Sequence, residues 1–124
     1  MPLADSARRL VEIAALAAAD KLAERITAFD VSEQLAITDA FVICSASNDR
    51  QVRAIVDEIE DKLREAGAKT LRREGHQEGR WVLLDYGEIV VHVQHEEERE
   101  FYALERLWRD CPEVDLPAEV HAPR

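Results

Sequence analysis

Residues 81–94 read Trp81-Val82-Leu83-Leu84-Asp85-Tyr86-Gly87-Glu88-Ile89-Val90-Val91-His92-Val93-Gln94, two β-branched and aliphatic runs separated by a glycine. This is a hairpin pattern, and Gly87 supplies the positive φ that a tight turn requires. With Tyr86-Gly87 as a two-residue turn, Asp85 pairs with Glu88, Leu84 with Ile89, Leu83 with Val90, Val82 with Val91 and Trp81 with His92. Side chains alternate along each strand, so Val82, Leu84, Ile89 and Val91 share one aliphatic face, which belongs in a core. The opposite face carries Trp81, Leu83, Asp85, Glu88, Val90 and His92, large apolar groups mixed with charges. Two uses fit that face: a wall half-covered by a helix, with Trp81 as packing, or a recognition surface with an apolar anchor and a polar rim. A one-residue slip of register would exchange the two faces.

Working outward, Ala40 to Ser45 (AFVICS) carries no charge and reads as a strand buried on both sides. Ile26 to Val31 reads as a short strand before it, and Lys69 to Glu74 as one before the hairpin. Between them Val52, Ile55, Val56, Ile59, Leu63 and Ala66 follow helical spacing, with Asp57, Glu58, Glu60, Asp61 and Arg64 facing out. Asn48 is its expected N-cap, with Gln51 three residues on, and Gly67 its stop. An alanine-rich amphipathic helix of about five turns precedes all of this. It gathers Leu3, Ala7, Val11, Ala14, Ala18 and Leu22 with Leu10 on one side. A last helix from about Glu97 to Arg109 carries Phe101, Leu104, Leu107 and Trp108. The order αββαβββα predicts an α/β fold: a single-domain sandwich with a mixed sheet of about five strands flanked by three helices. The domain spans residues 1–110, N-terminal helix included. Residues 111–124, with Pro112, Pro117 and Pro123, form an irregular and mobile tail.

The chain has 124 residues, enough for one domain. It holds 26 acidic against 16 basic residues, a formal net charge of -10. Nucleic-acid binding rests on Lys and Arg neutralising phosphates, so this balance disfavours DNA and RNA, and an anionic membrane surface likewise. A basic protein partner fits the charge better. No apolar run approaches the ~18 residues of a membrane span, and the alanine-rich start lacks a basic leader and a cleavage site. Cys44 and Cys111 cannot form a disulfide framework; a reduced cytoplasmic chain is the expectation.

Catalytic and cofactor signals are weak. His92 and His95 stand near Glu96, Glu97 and Glu98, but no cysteine pair or third histidine completes a zinc set, and the glutamates read as the acidic first turn of the last helix. No metal and no cofactor is expected. Ser45 to Arg50 (SASNDR) follows a buried strand and opens a helix, a place where phosphate can bind, yet it holds no glycine and is no P-loop. Capping accounts for these residues. Glu74-Gly75 and His76 to Gly79 form a polar loop, read as a mobile connection. Cys44, inside an apolar strand, is an unreactive thiol.

Several stretches, in this order and spacing, resemble the ribosomal silencing factor family, also called the Iojap or RsfS family. They are Ile37-Thr38-Asp39-Ala40-Phe41-Val42-Ile43-Cys44, Ser47-Asn48-Asp49-Arg50-Gln51-Val52, Glu74-Gly75, residues 81–93, and Phe101-Tyr102-Ala103-Leu104-Glu105-Arg106-Leu107-Trp108. The similarity runs from about Leu10 to Trp108. It implies a fold shaped like nucleotidyltransferases but without their Gly-Ser element and paired strand aspartates: Asp85 is followed by Tyr86 and Gly87. It implies a translational repressor of the cytoplasm, not an enzyme, that binds the large ribosomal subunit through its basic protein uL14 and blocks joining of the small subunit when nutrients run short. Homodimers away from the ribosome are implied too. Carried over residue by residue, Trp81 is the apolar anchor and Leu83 packs beside it. Asp85 and Glu74 pair with Lys or Arg of the partner, and Gly75 allows close approach. His92 and Tyr102 stand near this surface. The competing reading is a small nucleotide-binding or nucleotidyl-transferring enzyme using the Ser45 to Arg50 turn.

Overall fold

A computed structural model describes residues 3–121. Two helices, α1 (Asp5–Asp20) and α2 (Asp49–Glu65), lie against one face of a five-stranded sheet. The strands are β1 (Glu24–Asp30), β2 (Ala40–Ala46), β3 (Arg72–Glu74), β4 (Trp81–Asp85) and β5 (Ile89–His95), in spatial order β1-β2-β5-β4-β3. Only β2 and β5 run parallel among these pairs, so the sheet is mixed, as expected from the sequence. Its inner face, toward α1 and α2, presents Val42, Cys44, Val82, Leu84, Ile89, Val91 and Val93 to the helices' Val11, Ala14, Ala18, Ile55, Ile59 and Leu63. The alanines of α1 let its backbone sit close to the strands, and all of its buried residues except Val11 are alanine. Full burial pushes the Cys44 thiol up to about 12, which leaves it protonated and inert.

The helix ends follow local chemistry. The Asn48 side chain accepts from the Gln51 N–H at 2.8 Å, and α2 closes with Gly67 N–H on the Arg64 carbonyl and Ala68 N–H on that of Leu63, both at 2.9 Å. The same closing pair ends α1: Leu22 N–H donates to Ala19 and Ala23 N–H to Ala18, both at 3.0 Å. Leu22 therefore lies beyond the helix, at φ 63 and 57% exposed, instead of on its buried side. A branched residue held in the left-handed region is strained by about 1 kcal/mol. Leu22→Gly should relieve that strain while losing little burial, raising stability by about 1 kcal/mol in a denaturant titration.

The hairpin differs from the expected register by two residues. Asp85 pairs with Val90, Leu83 with His92 and Trp81 with Gln94. Tyr86 N–H donates to the Ile89 carbonyl at 2.9 Å, so Gly87 and Glu88 form the turn, with Gly87 at φ 82 and its N–H on the Asp85 carboxylate. An even shift preserves side-chain parity, so Val82, Leu84, Ile89 and Val91 still point inward and Trp81, Leu83 and Asp85 outward.

Beyond the hairpin, the last helix, the strand before the hairpin and the tail also differ from expectation. The last helix is broken: α3 (Glu96–Tyr102) and α4 (Leu104–Leu107) meet at Ala103, which adopts φ 46. Trp108 and Leu104 pack with Phe29, Val31, Ile43 and Cys111 over β1 and β2, while Phe101 and Leu107 are exposed instead of joining them. The expected strand Lys69 to Glu74 forms only over its last three residues. The tail has no long element but is packed. Asp30 N–H donates to Pro112 and Val114 N–H to Ala28, which extends the β1 edge, and Val114 and Val120 are buried in the α1 side of the core. No helix among the described residues is long and apolar enough to cross a membrane.

Candidate functional site

The outer face over β3, β4 and β5 is where the residues singled out in the sequence meet. Directly opposed residues of antiparallel strands share a face, so Glu74 stands beside Leu83, Leu83 beside His92, and Arg72 beside Asp85. Trp81, Leu83 and Asp85 are half-buried along β4. Tyr102, at the end of α3, lies with its ring 4.8 Å from that of Trp81 and is 51% exposed. From there an aromatic strip runs both ways. Phe101 stands edge-on to Tyr102 at 4.9 Å, and His92, Phe41 and Trp108 continue inward from Trp81 at 6.0, 5.3 and 5.1 Å. One end of the strip is anchored in the outer-face cluster and the other is open to solvent.

His92 is 7% exposed and meets this surface through Trp81, whose Nε1–H donates to His92 Nδ1 at 3.1 Å. That bond requires Nδ1 unprotonated, and burial lowers the imidazole to about 4. Because the folded value lies below the ordinary 6.5, the unfolded chain takes up the proton first as pH falls. The stability is therefore complete above pH 6.5 and is lost between there and about 4, roughly 3 kcal/mol in all. His92→Phe, with no proton to gain, should lose less stability than the parent across that window; parallel denaturant titrations at pH 7 and pH 4 measure the difference.

The acidic rim is partly engaged. Glu74 pairs with Arg72 at 2.9 Å, both exposed, and the Asp85 carboxylate accepts from Gly87 at 2.8 Å. A carboxylate has about four acceptor positions, so each retains capacity for a cation from outside. Gly75 makes its close approach inside the chain: a Cβ there would lie 2.1 Å from the Trp81 carbonyl oxygen, and its φ is 83. It thus seats the start of β4, and the Trp81 side chain with it.

His95, Glu97 and Glu98 bring ligand-type atoms within 4.8 Å of one another. Their bonding is otherwise accounted for. His95 Nδ1 accepts from Glu97 N–H at 3.1 Å as the N-cap of α3, and Arg80 holds Glu97 and Glu98 at 2.7 Å each. At the Ser45 to Arg50 turn, Asn48 is engaged as a cap and the buried Ser45 hydroxyl donates to the Glu24 carbonyl at 3.2 Å. The shallow cleft beside it, about 830 Å³, is lined by Glu24, Glu96, Glu97 and Glu100 against Arg25, the wrong sign for a phosphate. Sequence reading gave Phe101 no role beyond its place in the last helix with Leu104, Leu107 and Trp108.

Comparison with known proteins agrees with the residues that suggested a family. The family model described as "Ribosomal silencing factor during starvation" matches residues 4–124, the tail included. A ribosomal silencing factor RsfS of Bacillus subtilis is 46% identical over 109 residues, 88% of this chain and 92% of the relative. Another from Halalkalibacterium halodurans is 41% identical over 93% of this chain and 98% of the relative. A crystal structure of a Chromobacterium violaceum protein superposes with a TM-score of 0.81 at 31% identity, covering 88% of each chain. By sequence along nearly its whole length and by fold, this chain belongs to the RsfS, or Iojap, family of ribosomal silencing factors.

Proposed function

We propose that this protein silences ribosomes by docking on the large subunit through its basic protein uL14, with the Trp81 face as the contact, and so obstructing the small subunit from joining. The observation that carries this reading is the half-open aromatic strip of Trp81 and Tyr102 beside Leu83, edged by Glu74 and Asp85. Aromatic anchors inside a polar rim are the composition of binding hot spots, and the -10 charge favours a basic partner. Steric obstruction breaks and forms no bond, so this action needs no catalysis, and the cytoplasmic location rests on the family resemblance. The family description speaks of starvation, and repression under nutrient limitation follows for this chain by the same reading. A homodimer in the free state rests on the family resemblance alone.

The test is a subunit-joining assay. Purified protein is incubated with large subunits, small subunits are added, and the mixture is resolved on a sucrose gradient. The expected result is fewer joined ribosomes, with the protein migrating alongside large subunits. Undiminished joining, or migration with small subunits, would refute the proposal.

A further inference from the structure

We infer that the docking surface continues past the Trp81 hairpin onto the outside of α3, where Phe101 and the acidic cleft beside it receive a lysine- or arginine-bearing segment of the same basic partner. This rests on the large-subunit reading above and extends it to residues outside the hairpin.

Phe101 is 81% exposed on a helix whose neighbouring surface residues Glu96, Glu97 and Glu100 are charged. A lone exposed aromatic is ordinary, but this one is not isolated. Its ring meets Tyr102 edge-on at 4.9 Å and Tyr102 meets Trp81 at 4.8 Å, so apolar surface is continuous from β4 across the end of α3. Beyond Phe101 the surface falls into the cleft with four carboxylates and one guanidinium. The guanidinium groups nearby are directed to particular acids: Arg25 to Glu100 at 2.6 Å and Arg80 to Glu97 at 2.7 Å. Glu24 and Glu96 remain as exposed carboxylates of the lining. An aromatic ring beside carboxylates matches a long basic side chain, whose methylenes and cation lie over the ring while its head reaches the acids. Ribosomal RNA, the other surface available on a subunit, would present phosphates to this cleft and be repelled.

Two variants test the extension in a co-sedimentation titration with large subunits, run beside the parent protein and Trp81→Ala. Phe101→Ala removes a largely exposed ring together with its edge contact to Tyr102, and an unchanged thermal melt verifies the fold. It should bind about tenfold more weakly. The double variant Glu24→Lys/Glu96→Lys should weaken binding by a similar factor of about ten at low salt, with the gap narrowing as salt rises. Parent-like affinity in Phe101→Ala while Trp81→Ala fails to bind would end the surface at the hairpin and overturn the inference alone. Tighter binding of the double variant would place RNA phosphate at the cleft, which also overturns it. Failure of the parent protein to bind large subunits would remove the docking reading and this extension together.

Discussion

Trp81→Ala is expected to weaken binding to the large subunit by about thirtyfold or more while leaving a cooperatively folded protein. The asymmetry follows from which face Trp81 occupies. The core depends on its neighbours Val82 and Leu84, fully buried on the inner face, whereas Trp81 is half-buried on the outer one. Truncation removes the ring that Tyr102 stacks against and the donor to His92, so the loss to folding is confined to one side of the sheet. In the proposed docked state the same ring would be fully desolvated, and a tryptophan at the centre of an interface is worth about 2 kcal/mol or more. A companion variant separates packing from hydrogen bonding: Trp81→Phe keeps most of the apolar contact and loses only the Nε1–H. It should fall between the parent and the alanine variant in co-sedimentation. Equal pelleting of all three proteins, with unchanged melts, would mean that the docking face lies elsewhere.

The second large effect concerns stability, and it is directional. Arg99 is 1% exposed beneath α3; its Nε donates to Glu105 at 2.9 Å and its Nη1 to the Ser45 hydroxyl at 3.4 Å. Glu105 is a quarter exposed and also lies 3.3 Å from the more exposed Arg25. Glu105→Ala would leave a buried guanidinium without its counter-charge, with the Ser45 hydroxyl still in reach. Breaking a buried pair from that side costs about 3 kcal/mol or more. Arg99→Met replaces the charge with an apolar chain of similar length and leaves Glu105 Oε2 with Arg25, while Oε1 is buried without a partner, so it should cost less than Glu105→Ala. Denaturant midpoints of the two variants check the order. Equal losses would show that the contribution is pairwise attraction and not the cost of an unpaired buried charge. Because Arg99, Glu100 and Glu105 flank the Ala103 break, Glu105→Ala should also loosen Tyr102, which appears as a smaller aromatic circular-dichroism signal.

Much of the candidate face was legible because it depends on short-range rules. Alternation along residues 81–94 separated Val82 and Leu84 from Trp81 and Leu83, and this survived a two-residue shift of register because parity is unchanged by an even shift. Tyr102 and His92 were placed near Trp81 by the hairpin and the last helix, and both are there. The last helix is continuous in the sequence reading, whereas the left-handed backbone of Ala103 rotates the segment that follows.

The strand and helix order, the caps of α2, the aliphatic inner face, the acidic charge and the family could all be read from the chain, since each is written in neighbouring residues or in motifs of fixed spacing. Only the tertiary structure decided where the last helix breaks, how the tail edges β1, which aromatic rings remain open, and that Arg99 is buried on Glu105 while His92 is held neutral beneath Trp81. Those outcomes turn on contacts between residues far apart in the chain, such as Arg25 with Glu100 or Ser45 with Arg99. Local periodicity does not encode them: the burial of a charge and the exposure of a ring are set by which distant element covers that face.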